Sequence, residues 1–511
     1  MAKVSMHKTK AEEIIDDPVK PDESLSRRVI ISGFWVFSLR VFQQLFSFSR
    51  LIILARILAP FDFGLMGIAL LTMSTLETFS QTGFQAALIQ KKKDIESYLD
   101  AAWTVLILRG LAIFGILYFA APFASSFFAA PEAKPIIRVI GFSVLLQAFT
   151  NIGVIYFQKE LKFNKEFIYQ FVGTIADFVV AVAAVLILKS VWALVFGLLS
   201  GNAARCFVSY LLQPYRAHLS FDLRKAKELF GFGKWILGSS ILVFLLTQGD
   251  DAFVARILGT AALGFYQLAY RISNMPATEI SHVISKVMYP AYSEIRDNLP
   301  ALRESYLKVL ELTAFLSFPA TAVILVLSPD FTNIFLGDKW LPMVPAMQVL
   351  ALFGMIRSIG ATTGVVFMAV GKPEIRTKIQ SAQLIFLAVL IYPLTMRWGI
   401  LGTSIAVTAY ALIFNLVAFY KALDIVKSDI KKPARVVAVP AIGTLIMICT
   451  VLAVRMYIIP NVCMASFFSL IGCAVSAYLF CVYLSNLIIN DGNKLAIQIQ
   501  IGGFFQKDND K

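Results

Sequence analysis

From residue 29 onward the chain is a succession of apolar runs separated by short polar connections. Each run is about as long as a helix needs to cross a hydrocarbon core of roughly 30 Å. The runs cover residues 29–53, 62–89, 101–121, 136–157, 168–188, 191–213, 235–255, 263–288, 309–329, 343–370, 379–396, 400–420, 436–458 and 464–487. They are far longer than the strands of a membrane barrel, and a backbone in lipid must satisfy its own hydrogen bonds, so the pattern predicts α-helices throughout. The expected fold is an all-α polytopic membrane protein with fourteen transmembrane helices and no folded extramembrane domain.

Basic residues sort the connections into two sides. One alternate set holds 25 Lys and Arg, among them Lys91, Lys92 and Lys93, Lys159, Lys162 and Lys165, and Lys421, Lys427, Lys431, Lys432 and Arg435. The other set holds eight: Arg56, Lys134, Arg138, Lys189, Arg256, Lys339, Arg397 and Arg455. A missed or invented helix would invert the bias beyond it, and no inversion occurs. Both termini are therefore expected on the cytoplasmic side, with residues 1–28 as a disordered polar tail that lacks the form of a cleavable signal peptide.

Composition agrees with this reading. Of 511 residues 58% are hydrophobic and 15% charged, where an ordinary soluble protein carries roughly a quarter charged; the mean hydropathy is +0.74. The net charge of +14 lacks a soluble face on which nucleic acid could bind, so no nucleic-acid partner is expected and the bilayer is the partner. Cys206, Cys449, Cys463, Cys473 and Cys481 form no CxxC pair, and His7, His218 and His282 are not at metal-ligand spacing. They predict buried thiols, no metal centre and no bound cofactor.

A repeat runs through the chain at an offset of 200 residues. Gly33 and Trp35 match Gly233 and Trp235, and Ala55, Arg56, Ile57, Leu58, Gly64 and Ala69 match Ala255, Arg256, Ile257, Leu258, Gly264 and Ala269. Six helices separate the copies, an even number that preserves orientation, so the repeats are parallel. The predicted organisation is an N-lobe at 29–213, a basic cytoplasmic linker at 214–234, a C-lobe at 235–420, two further helices at 421–487 and a cytoplasmic C-terminal tail at 488–511. Two parallel six-helix lobes suit alternating access around a cleft between them.

An ionisable residue at bilayer depth is costly unless it faces protein or water, which makes it a functional candidate. Arg40, Gln43, Ser47 and Arg50 fall on one face of the first run, and Ser74, Glu77, Thr78, Gln81 and Gln85 on one stripe of the second. The seventh carries Ser240, Thr247 and Asp251, and the eighth carries Gln267, Arg271, Asn274, Thr278 and Ser281. The candidate cavity residues are Arg40, Gln43, Arg50, Glu77, Gln81, Asp251, Arg271, Asn274 and Arg357, with Arg109, Arg205 and Asp177 equally well read as interhelical glue. Arg50 and Asp250 occupy equivalent repeat positions and can pair as a gate or be solvated at the rim. The excess of deep arginines over acids points to an anionic group such as phosphate or pyrophosphate, which a guanidinium fork fits while staying charged.

The segments LARILAPFDFGLMGIA, SQTGFQAALIQKK, FQKELKFNKEF, VARILGTAALGFYQLAYRISNMP and VMYPAYSEIRDN together resemble the bacterial polysaccharide exporters of the colanic acid and O-antigen flippase type, in the multidrug/oligosaccharidyl-lipid/polysaccharide superfamily. The resemblance covers essentially all fourteen runs. It implies a V-shaped two-lobe fold with a cationic central cavity, where Arg40 and Arg271 would fit. It also implies a flippase in the bacterial cytoplasmic membrane that moves undecaprenyl-pyrophosphate-linked oligosaccharide units, serving lipopolysaccharide or exopolysaccharide synthesis alongside a polysaccharide polymerase or export machinery. The polar N-terminal tail is longer than the family's usual one.

No GxxxxGK[ST] motif is present to bind ATP, so energy is expected from the membrane potential or from a coupled proton or sodium ion. Two other readings share part of the pattern. A drug antiporter of the same superfamily would have the same topology but would favour acids in its cavity. A membrane polysaccharide polymerase or ligase would need catalytic groups in a sizeable external loop, and the external connections here are short. The chain is therefore read as a transporter and not an enzyme.

Overall fold

A computed structural model describes residues 25–81, 84, 88, 96–160, 162–458 and 463–489. The polar tail expected at 1–28 lies outside the described residues up to residue 24, as do Gln85, Lys91, Lys92, Lys93 and the C-terminal tail from residue 490. Everything regular among the described residues is helical: α1 Leu25–Ile57, α2 Pro60–Phe79, α3 Glu96–Phe127, α4 Ala133–Ala148, α5 Phe163–Leu188, α6 Trp192–Leu212, α7 Leu223–Leu258, α8 Thr260–Glu294, α9 Leu299–Phe331, α10 Val344–Ala369, α11 Pro373–Ile425, α12 Lys431–Tyr457 and α13 Met464–Ile489. Nine of the described helices are long and apolar enough to cross a membrane, and a tenth span arises if α4 is joined to the short helix that follows it.

Twelve of the predicted runs fall on one helix or one arm of a helix, and the departures have local causes. The run at 62–89 is not one helix. α2 stops at Phe79, where Ser80 takes the cap position: its backbone N–H donates to the Leu76 carbonyl and that of Gln81 to the Thr78 carbonyl. The run at 136–157 is also broken: α4 ends at Ala148 and Ile155–Lys159 resumes after a bend of 67°. Buried Asn151 makes that break, its Oδ1 accepting from Gly153 N at 2.9 Å while its Nδ2 donates to the Tyr215 carbonyl at 2.7 Å. The runs at 379–396 and 400–420 are the two arms of α11, which turn at Gly399, with φ of 58° and ψ of −137°. Only glycine adopts that conformation without strain. Beyond it the arms touch closely enough that a Cβ at Gly402 would overlap the Leu394 carbonyl, and the Thr395 and Thr403 hydroxyls meet at 2.8 Å.

The helices assemble into two compact units. The first comprises Met1–Leu268, Phe335–Pro342 and Ile391–Thr403. In it α5 packs on α6 and α1, α3 on α4, and α7 on α2 and α3. Trp35, Phe42 and Phe46 of α1 interleave edge-on with Phe167, Phe171 and Phe178 of α5 at centroid distances of 5.2–6.3 Å, which uses one face of α1 for packing. The segment after α6 is fastened rather than loose: the Tyr215 hydroxyl and the His218 N–H both donate to Asp100 Oδ1, at 2.7 and 2.9 Å, and Ser220 N–H donates to Thr104 Oγ1 at 2.8 Å.

The second unit comprises Ala269–Ile334, Met343–Leu390 and Ser404–Lys511. Here α9 packs on α10, α12 and α13. Its core gathers Tyr292, Leu302, Tyr306, Val366, Phe367, Ala422 and Val426, all almost fully buried. The final helix is tied in by the Tyr478 hydroxyl, which donates to the Phe315 carbonyl at 3.0 Å.

Candidate substrate site

α1 is continuous over its polar stripe, and Arg40, Gln43, Ser47 and Arg50 are all half-buried. Its Arg50 end is closed by an ion pair with Asp177 of α5 at 3.1 Å, both side chains about one-fifth exposed. The alternative pairing of Arg50 with Asp250 is not what forms. Asp250 is buried and accepts instead from the Tyr266 hydroxyl at 2.6 Å, while its neighbour Asp251 accepts from Gln267 Nε2 at 2.9 Å. Tyr266 is fully buried, and an apolar-looking Tyr in the repeat gave no sequence signal of this role.

Two other arginines in the first unit serve the scaffold. Arg109 Nη2 donates to the Glu77 carbonyl at 2.7 Å and its Nε to Ser80 Oγ at 3.1 Å, so it ties the frayed end of α2 to α3. Glu77 is half-buried beside it. Gln81, placed by its spacing on the α2 stripe, lies beyond the end of the helix and is exposed, because the termination at Ser80 breaks the 3.6-residue period. Arg205 lies across Gly173, where a Cβ would collide with it, and donates to Asn202 Oδ1 at 3.2 Å. Asp177 and Arg205 thus both occupy the α5–α6 seam.

In the second unit the α8 stripe meets α10. Ser273 Oγ donates to the Met347 carbonyl at 2.6 Å, and Gly354 lets α10 approach the Ser273 carbonyl. Asn274, buried, donates to the Tyr270 carbonyl at 3.1 Å, with its Oδ1 buried and unpaired by any hydrogen bond. One turn further Arg357 Nη2 donates to Thr278 Oγ1, and its guanidinium stands 6.0 Å from the Phe353 ring centroid. Arg271 is exposed on this helix. Asn274 and Arg357 therefore follow one polar seam, with Arg271 on the same helix and exposed, whereas Arg40, Gln43, Arg50, Glu77 and Asp251 belong to the first unit.

The duplicated motif also has a structural purpose. Within the first unit the opening turns of α2 and α8 cross reciprocally: a Cβ at Gly64 would overlap the Thr260 carbonyl, and a Cβ at Gly264 would overlap the Pro60 carbonyl. These are the same two positions exchanged through the 200-residue offset. Trp340, fully buried, sits edge-on to Phe63 and Phe265 at 5.3 and 5.7 Å and donates its indole N–H to the Ala55 carbonyl at 2.8 Å. Lys339 Nζ adds a bond to the Arg56 carbonyl at 3.0 Å. The sequence offered no signal for Trp340 beyond its place in a short connection.

Many long apolar helices, broken and polar-striped along several faces, define a multi-pass membrane protein. The chain belongs to the polysaccharide biosynthesis protein family, whose profile it matches over residues 53–345, more than half its length. It is 26% identical over 370 residues to the lipopolysaccharide biosynthesis protein WzxC of Escherichia coli (strain K12), covering 72% of this chain and 74% of that one. It is 26% identical over 357 residues to the teichuronic acid biosynthesis protein TuaB of Bacillus subtilis (strain 168), covering 67% and 74%. Its fold is similar to that of the lipid II flippase MurJ, a structure solved in an inward closed conformation, with a TM-score of 0.74 at 15% identity over 90% of this chain and all of the other.

Proposed function

We propose that the protein flips lipid-linked oligosaccharide units, built on undecaprenyl pyrophosphate, across the bacterial cytoplasmic membrane for polysaccharide biosynthesis. Its membership of the polysaccharide biosynthesis family carries this reading. The names of its relatives and the flippase fold support it. The chain would cross the membrane fourteen times with both termini in the cytoplasm. Support for that count comes from twelve of the fourteen apolar runs, each of which matches one helix or one arm of α11, and from the two others, at 62–89 and 136–157, each of which opens on a helix of its own.

In this mechanism the pyrophosphate head enters from the cytoplasmic side and exchanges its hydration along its path for the guanidinium groups of Arg40, Arg271 and Arg357. Guanidinium groups suit the task because they remain charged where water is excluded and offer paired donors to phosphate oxygens. The prenyl tail stays in lipid. The membrane potential or a coupled proton or sodium ion supplies the energy, and a polymerase or export machinery takes the product. Transport, not catalysis, is the activity.

The test is restoration of surface polymer in a host lacking its own polysaccharide flippase and making the matching glycan. Wild type is expected to restore it, and Arg40→Ala and Arg271→Ala, at matched membrane abundance, to lose at least tenfold. Full activity in both variants would remove these arginines from the substrate path while leaving the flippase reading intact. Failure of the wild type across a panel of glycan backgrounds would remove the reading itself.

A further inference from the structure

We infer that the cavity between α3 and α4 binds the headgroup of an anionic glycerophospholipid. The cavity measures about 320 Å³ and is lined by Tyr118, Lys134, Pro135, Arg138, Val139 and Phe142. One water needs only about 10–15 Å³ in this measure, so the space admits a phosphate with its glycerol. Lys134 and Arg138 stand one turn apart on α4, so both ammonium and guanidinium reach the same opening.

Tyr118 prepares the arginine. Arg138 Nε donates to the Tyr118 carbonyl at 3.2 Å, and the guanidinium carbon lies 4.6 Å above the Tyr118 ring. This fixes the plane of the fork and uses a single donor; the bond to Tyr118 makes no use of the two terminal nitrogens, which are the ones that grip a phosphate in bidentate fashion. Such stacking also holds the charge without a carboxylate partner.

The surroundings select a lipid over a soluble anion. Phe119 and Phe123 on the same helix are 75% and 78% exposed, and Phe142 on the cavity wall is 49% exposed. In a helix of this apolar character such rings face acyl chains. At about 1.5 Å per residue, Tyr118 stands about 26 Å along the apolar run that opens at residue 101, a few ångström inside the outer edge of a hydrocarbon core of roughly 30 Å, from where the long side chains of Lys134 and Arg138 reach the headgroup level. A phosphodiester at that depth meets two cations, while its glycerol and chains run down the aromatic wall. By the sidedness proposed above this is the extracytoplasmic leaflet, where the connections carry only eight basic residues and two of them converge here.

The test is native mass spectrometry of the full-length protein in detergent, titrated with phosphatidylglycerol, phosphatidylcholine and a short isoprenyl phosphate. Wild type is expected to retain phosphatidylglycerol in preference to the other two. Lys134→Gln/Arg138→Gln should weaken that retention about tenfold or more, as the loss of two interfacial cations implies, and Arg397→Gln, a cation elsewhere on the same side, should not. Lys134 is exposed, so Lys134→Glu alone provides a variant that leaves packing untouched and should also reduce retention. Equal retention of phosphatidylglycerol and phosphatidylcholine, unchanged retention in Lys134→Glu, or preference for the isoprenyl phosphate would each overturn the assignment. None of these readings depends on flipping activity, so they stand apart from the test of transport.

Discussion

Arg50 and Asp177 are each about one-fifth exposed and 3.1 Å apart, a geometry in which removing one partner costs more than removing both. Asp177→Leu leaves a guanidinium in a mostly dry seam and should lower stability by about 1–3 kcal/mol, less than for a wholly buried pair because water still reaches it. Arg50→Leu/Asp177→Leu should recover most of that loss. Thermal unfolding in detergent of the wild type, Arg50→Leu, Asp177→Leu and the double variant decides the matter, and additive losses would mean that the two groups are independent. The charges themselves were legible in the sequence, since an Arg among apolar residues stands out. Their partners were not: Arg109 at the end of α2 and Arg205 across Gly173 are chosen by side-chain reach between helices, which spacing along one helix does not encode. Gln81 shows the opposite error, a periodic position lost because the helix ended before it.

At the scale of elements, the two copies of the repeat explain each other. Gly64 and Gly264 allow the opening turns of α2 and α8 to cross with each glycine against the other copy's carbonyl. A side chain there meets backbone, which yields little, so Gly64→Val and Gly264→Val should each cost at least the ~1–3 kcal/mol typical of overpacking and should reduce polymer export as well as thermal stability. Wild-type stability in either variant would show that the crossing is loose. Trp340 is fully buried over the same crossing, and Trp340→Ala should lose about 3–5 kcal/mol, with Trp340→Phe losing less because Phe keeps the edge-on rings and forfeits only the bond to the Ala55 carbonyl. Urea or thermal denaturation ranks these three. The glycines were legible as a motif and as an allowance for close entry. What they approach was not, because the partner is the other copy, 200 residues away.

At the scale of the molecule, alternation of charge makes a direct prediction about sidedness. In a background without the five native cysteines, Cys introduced at Lys378 should react with a membrane-impermeant maleimide only after the membrane is opened, and Cys at Lys189 should react in intact cells. The reverse pattern would invert the proposed topology. The sequence by itself determined that the chain is helical, that it lives in a membrane, broadly where its apolar helices lie and that one motif recurs at an offset of 200 residues. It could do so because hydrophobic length, charge asymmetry and repeat offset are all properties of the chain in order, and lipid permits few backbone alternatives. Only the tertiary structure decided which polar groups pair, that α2 and α4 stop early, that α11 turns at Gly399, and that Trp340 covers the crossed glycines. Those outcomes depend on which surfaces meet, and closeness in space between distant segments is what a linear pattern leaves out.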